Sequence, residues 1–149
     1  DLESYKDSYS RSSQTIQEYL KEYPSIKYIF DVHRDSVLSS SSAKIRPVTV
    51  INDKATAQVM TVVGTDFYGA YHPDWQKNLT LAAKLQASLN ANYLNFARSI
   101  NLRGAAFNQY YTTGSLLLEI GSCGNTIEEA KLAGELVAKE LAKLILNGW

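Results

Sequence analysis

The residues best suited to chemistry are a histidine and a glutamate, each at the end of an apolar run. His33 follows Phe30, Asp31 and Val32, and Glu119 follows three leucines and precedes Ile120. Such runs are typical of strands, and open α/β sheets bind ligands at the carboxyl ends of their strands. An imidazole and a carboxylate can serve metal-assisted hydrolysis, the first as a ligand and the second as a general base. The sequence therefore predicts a shared active site.

Polar neighbours of His33 suggest supporting roles. Asp31 or Asp35 could orient the imidazole, and Arg34 could pair with a substrate carboxylate through two hydrogen bonds. The simpler alternatives are a solvent-facing histidine, a local ion pair between Arg34 and Asp35, and a Glu119 that faces outward from a strand edge. The apolar neighbours of Glu119 favour a functional role, because burying an unpaired carboxylate costs free energy.

The hydrophobic pattern predicts the elements that position these residues. Apolar spacing predicts helices over residues 10–23, over 75–90 after an Asp74 cap, and from a Thr126/Glu129 capping box to near Asn147. Strand formers predict strands over 26–32, 48–51, 55–64 and 116–120, with the second and third forming a hairpin around 52–54. Residues 39–42, four serines, predict a loop. The sequence thus predicts an α/β fold with a mixed, mainly parallel sheet flanked by helices.

Composition narrows the function. The 149 residues are 45% hydrophobic, which suits a single domain over residues 1–149. Fifteen basic residues balance fifteen acidic ones, which disfavours nucleic acid and anionic membranes as partners. The single cysteine, Cys123, excludes an internal disulfide. No apolar run is long enough to span a bilayer, which predicts a soluble chain, and residues 121–125 lack the spacing of a nucleotide-binding loop.

Four segments, in a consistent order, resemble the stage II sporulation protein P family. They are FDVHRDS over residues 30–36, HPDW over 72–75 followed by Asn78, FNQ over 107–109, and LLLEIGSCGNTIEE over 116–129. The resemblance extends from about Tyr9 to Leu144. That family belongs with zinc-dependent N-acetylmuramoyl-L-alanine amidases, which cleave the amide bond between muramic acid and the stem peptide. The resemblance therefore implies an amidase-like fold and an extracytoplasmic peptidoglycan hydrolase that acts in engulfment during sporulation.

The resemblance also implies roles for single residues. His33 would be a zinc ligand and Glu119 the catalytic base, with supporting or substrate-binding roles for Arg34, Asp35, Asn108 and Gln109. A His-Thr-His ligand segment, the first strand and a membrane anchor would lie upstream of residue 1, so the zinc site would be incomplete in this chain. Glu3 lies too near the first helix to be a ligand. The implied partners are peptidoglycan and the stage II sporulation protein D lytic transglycosylase.

The incomplete ligand set leaves a second interpretation open. The chain could be a non-catalytic module that binds peptidoglycan or a protein partner through an aromatic surface formed by Tyr68, Tyr71, Trp75, Tyr110 and Tyr111. The sequence does not separate cleavage of the muramoyl amide bond from cleavage within the stem peptide.

Overall fold

The structure is a computed structural model that describes residues 7–148. The helices are α1 (Ser8–Glu22), α2 (Trp75–Asn92) and α3 (Ile127–Leu146), and two single-turn 3-10 helices cover Phe67–Gly69 and Gln109–Tyr111. The strands are β1 (Tyr28–Asp35), β2 (Val48–Ile51), β3 (Lys54–Ala57), β4 (Val59–Gly64), β5 (Asn101–Arg103) and β6 (Gly114–Ser122). The three predicted helices are all present, with ends within two residues of those expected.

Four strands form the main sheet, in the order β1-β6-β4-β5. β6 is parallel to β1 and antiparallel to β4, and β4 is parallel to β5. The predicted α/β fold with a mixed, mostly parallel sheet flanked by helices is therefore confirmed. The separate hairpin β2-β3 turns at Asn52 and Asp53, which both have the positive φ of a tight hairpin turn.

The strand predicted over residues 55–64 is in fact two strands that belong to different sheets. Gln58 separates them: its backbone N–H donates to the Pro47 carbonyl (3.0 Å) and its side-chain amide donates to the Asn95 carbonyl (2.7 Å). These contacts turn the chain from the hairpin into the main sheet. The apolar residues on both sides of Gln58 conceal this break in the sequence.

Helices α2 and α3 pack against one face of the main sheet. Leu81, Leu85 and Leu89 of α2 are buried with Ala133, Val137 and Leu141 of α3, Leu116, Leu118 and Ile120 of β6, and Val59 and Val63 of β4. Because side chains alternate along a strand, the residues between these positions face the opposite side of the sheet. We call that side the open face.

The capping residues predicted for α3 and α2 behave differently in the structure. At α3 the capping box is confirmed, because the Thr126 hydroxyl accepts from the Glu129 N–H and the Glu129 carboxylate accepts from the Thr126 N–H, both at 3.2 Å. Asp74 precedes α2 as expected but makes no capping hydrogen bond, since its carboxylate pairs with Lys77 at 2.9 Å.

Among residues 7–148, no helix combines the length and the apolar character needed to cross a membrane.

Candidate active site

The pairing of β1 with β6 places His33 directly opposite Glu119. Met60 of β4 is the partner of Glu119 on its other side. Strand alternation puts all three on the open face, near the carboxyl ends of the parallel strands. Two residues that are distant in the sequence thus become neighbours at the place where α/β sheets bind ligands.

A cavity of about 240 Å³ lies over this pair on the open face. Its walls combine polar and aromatic side chains, which include His33, Glu119, Asp35, Arg103, Phe107 and Tyr9. Apolar walls with a few convergent polar groups are typical of ligand sites.

Glu119 is half-buried, and its Oε2 atom has no hydrogen-bond partner among the described residues. Burial raises the pKa of Glu119, and the nearby Asp35 carboxylate raises it further, while His33 and Arg98 oppose the shift. A carboxylate with a raised pKa and an unused oxygen is suited to proton transfer. This is the electrostatic character expected of a general base at a water-accessible site.

His33 is oriented by Asp31, the carboxylate two residues earlier on the same strand. Nε2 of His33 lies 3.0 Å from Asp31 Oδ1, and both side chains are partly exposed. Of the two aspartates considered from the sequence, the structure brings Asp31 into contact with the ring.

Asp35 pairs with Arg98 instead of its neighbour Arg34. Arg98 Nη1 donates to Asp35 Oδ2 at 3.0 Å, while Nε and Nη2 are buried without a partner among residues 7–148. Arg98 was not predicted as a site residue, because it lies in an irregular segment 63 residues from Asp35. One feature of the sequence indicates this role: Arg98 is the charged residue in the segment FARSI over 96–100, whose other side chains are apolar or small.

Arg34, Asn108 and Gln109 make scaffold contacts. Arg34 lies on the other side of β1 and donates to the Ser122 and Asn125 carbonyls, which fixes the loop between β6 and α3. Asn108 donates to the Tyr9 carbonyl at 2.8 Å. The buried Gln109 accepts from the Gly64 N–H and donates to the Val62 carbonyl, both at 2.9 Å. These bonds hold neighbouring segments in place, and the supporting or substrate-binding roles expected of the three residues stay predictions.

The donors of the described residues do not complete a zinc site. Within residues 7–148 there is no group of three histidine, cysteine or acidic side chains placed to hold a metal ion. Zinc sites in enzymes use three protein ligands, and His33 supplies one. Any zinc at His33 therefore depends on ligands from outside residues 7–148. Glu3, which was rejected as a ligand from the sequence, lies outside the described residues.

Comparison with known proteins gives two matches to one family. The family model described as Stage II sporulation protein P (SpoIIP) matches residues 1–142. Stage II sporulation protein P of Bacillus subtilis (strain 168) is 26% identical over 146 residues. That match covers 95% of this chain and 34% of the relative, so the chain spans about a third of the relative's length. No solved structure matches the chain significantly.

Proposed function

We propose, since the chain belongs to the stage II sporulation protein P family, that it forms part of a peptidoglycan hydrolase used in engulfment during sporulation. The proposed reaction is hydrolysis of the amide bond between N-acetylmuramic acid and the stem peptide. The observation that carries this proposal is the carboxylate of Glu119, which is partly buried, has one unpaired oxygen and lies opposite His33 in an open cavity.

Glu119 has the position and pKa of a proton carrier. Its carboxylate accepts a proton from water as the water oxygen attacks the amide carbonyl carbon. When the carbon–nitrogen bond breaks, the same carboxyl group returns the proton to the leaving nitrogen. The products are a carboxylic acid on the sugar and a free amine on the peptide, so protons and atoms balance.

Zinc remains the proposed cofactor, and His33 would be one of its ligands. When bound, a zinc ion supplies Lewis acidity to an amide carbonyl or a water molecule. Because the described residues supply one imidazole and no three-ligand group, the remaining ligands must come from elsewhere in a protein of the relative's length. We also propose an extracytoplasmic location, peptidoglycan as the substrate and the stage II sporulation protein D transglycosylase as a partner.

Incubation with purified peptidoglycan tests the hydrolase. This chain is incubated with zinc, and released stem peptides are measured by mass spectrometry beside the Glu119→Ala variant. Release by the native chain that the variant loses supports the proposal. Binding to peptidoglycan without release, together with no stoichiometric zinc by elemental analysis, contradicts catalysis by this chain.

A non-catalytic binding module is the second candidate, and one observation favours it. Tyr68 and Tyr71 are 88% and 73% exposed, so two aromatic side chains three residues apart are available to a ligand. Retention on insoluble peptidoglycan with no released peptide, equal for the native chain and Glu119→Ala, would select this alternative.

A further inference from the structure

A second cavity lies at the other end of the β1/β6 pair. It has a volume of about 420 Å³ and is lined by Tyr28 at the start of β1, Gly114 at the start of β6, and the Gln109–Tyr111 turn. In the register of the two strands, Tyr28 pairs with Gly114 and His33 pairs with Glu119. At ~3.3 Å per residue, these two pairs are about 17 Å apart. The second cavity is therefore separate from the catalytic cavity.

The segment 107–112 borders both cavities. Phe107 lines the cavity over Glu119, and Gln109 lines the second cavity. A third cavity of about 260 Å³ lies between them, with both Phe107 and Gln109 in its wall. Three cavities that share neighbouring wall residues favour an extended ligand over a compact one.

The second cavity has an aromatic wall. Tyr110 packs edge-on against Tyr71, with ring centroids 5.8 Å apart, and lies 4.5 Å from Tyr111. Pyranose rings place their C–H faces on aromatic rings and offer hydroxyl groups to polar neighbours. The charged wall residues Lys27 and Asp74 have opposite signs, so the cavity has no net charge with which to attract the anionic stem peptide. The walls therefore favour a neutral, hydroxyl-rich ligand.

His72 adds a buried donor to this wall. It is 1% exposed, and its Nε2 lies 3.2 Å from the amide nitrogen of Asn78, which also donates to the Gln109 carbonyl at 2.9 Å. Because Nε2 accepts from Asn78, the ring proton is on Nδ1, which has no hydrogen-bond partner among the described residues. Burial lowers the pKa of His72 and outweighs the opposing effects of the Gly64 backbone and of the Asp66 and Asp74 carboxylates, which favours the neutral ring. A neutral N–H suits an amide carbonyl or a hydroxyl.

We propose that this second cavity is a subsite for an N-acetylated sugar of the glycan strand, several rings away from the bond that Glu119 attacks. The inference rests on the proposed function and extends its substrate along the polymer. The subsite would lie at the amino ends of β1 and β6, with segment 107–112 between the bound sugar and the reacting amide.

Calorimetric titration tests the subsite without relying on hydrolysis. The chain with Glu119→Gln is titrated with the tetramer of N-acetylglucosamine and, separately, with the free stem tripeptide. We expect the tetramer to bind, and Tyr110→Ala or Tyr111→Ala, which each remove an aromatic ring from the cavity wall, to weaken it about 3- to 10-fold, the usual contribution of an aromatic contact. Tyr68→Ala is the control, because Tyr68 is an exposed tyrosine that does not line the cavity. We expect it to bind as the parent does.

Three results would overturn the subsite: no binding of the tetramer, binding of the tripeptide alone, or equal weakening by Tyr68→Ala. Thermal unfolding of each variant guards against misfolding as an explanation. If the hydrolase proposal were wrong, this titration would still test the subsite, because binding is measured in a variant that lacks the Glu119 carboxylate. Conversely, hydrolysis without tetramer binding would overturn the subsite alone.

Discussion

Glu119 and Glu129 are both wholly or partly buried, but their carboxylates differ in the hydrogen bonds that they accept. Glu129 is 4% exposed and accepts hydrogen bonds from the Arg46 guanidinium, the Asn125 side-chain amide and the Thr126 N–H. The Arg46 hydrogen bonds lower the pKa of Glu129 to about 2, against the opposing effect of burial. Glu119 has one buried oxygen without such a partner, and burial raises its pKa.

The difference shows how one residue type serves two purposes. A fully paired carboxylate stays ionised and stabilises the fold, because its hydrogen bonds would be lost on unfolding. A poorly paired carboxylate lowers stability but holds a proton more readily, as a general base requires. We therefore expect substitutions at Glu119 to reduce activity and substitutions at Glu129 to reduce stability.

The largest expected effect is on activity at Glu119. Glu119→Gln should lower the rate of peptide release from peptidoglycan by about 10²- to 10⁴-fold, the usual contribution of a general base. Stability at neutral pH should stay equal or rise slightly, because the variant removes a charge that burial disfavours. Rate assays and thermal unfolding measure the two effects. A clear fall in the melting temperature would mean that Glu119 is structural.

The next effect is on stability at Glu129. Glu129→Ala should lower the free energy of unfolding by about 2–4 kcal/mol, because it removes the capping box and the charged hydrogen bonds with Arg46. Urea unfolding measures this change. Glu128→Ala is the matched control, since Glu128 lies in the same helical turn and is exposed. Equal destabilisation by both variants would contradict the comparison.

The lowered pKa of Glu129 predicts that the free energy of unfolding depends on pH. The pKa of Glu129 is about 2 in the folded chain, below its ordinary value of 4.5. Its contribution is therefore complete above about pH 4.5 and is lost as the pH falls through about 2. The stability difference between the native chain and Glu129→Gln should shrink between about pH 5.5 and about pH 2.5. A difference that is constant over that range would show that the charge of Glu129 does not contribute.

The smallest effect tests the geometry of the Glu129 partner. Arg46→Lys keeps the charge but loses the paired donors Nε and Nη2, and should cost about 1 kcal/mol. Denaturant unfolding of this variant beside Arg46→Ala measures it. Equal losses in the two variants would show that charge alone contributes nothing and that the forked geometry is essential.

The sequence predicted those features of Glu119 and Glu129 that depend on neighbouring residues in the chain. Thr126 and Glu129 are three residues apart, so the spacing of the capping box is visible in the sequence. The three leucines before Glu119 indicate that its side chain is partly buried. Arg46 and Arg98 were not predicted, because they lie 83 and 63 residues from Glu129 and Asp35. Their contacts depend on the tertiary fold, and no short-range pattern encodes them.

The sheet shows the same limit. Strand formers located β1, β2 and β6, but a single apolar run over residues 55–64 concealed the division into β3 and β4. That division depends on the partners of Gln58, which come from residues 47 and 95. The fold class was predictable from the order of elements, whereas strand partners required distant contacts.

The central place of β6 has a kinetic consequence. β6 is the last strand along the chain, yet it lies between β1 and β4 and joins them into one sheet. Contacts between segments so distant in sequence form slowly, because a long loop must close before they are gained. A nascent chain that stops before β6 therefore has no bridge between its earlier strands. His33 and Glu119 meet only when synthesis has passed the last strand, so the proposed catalytic pair assembles late.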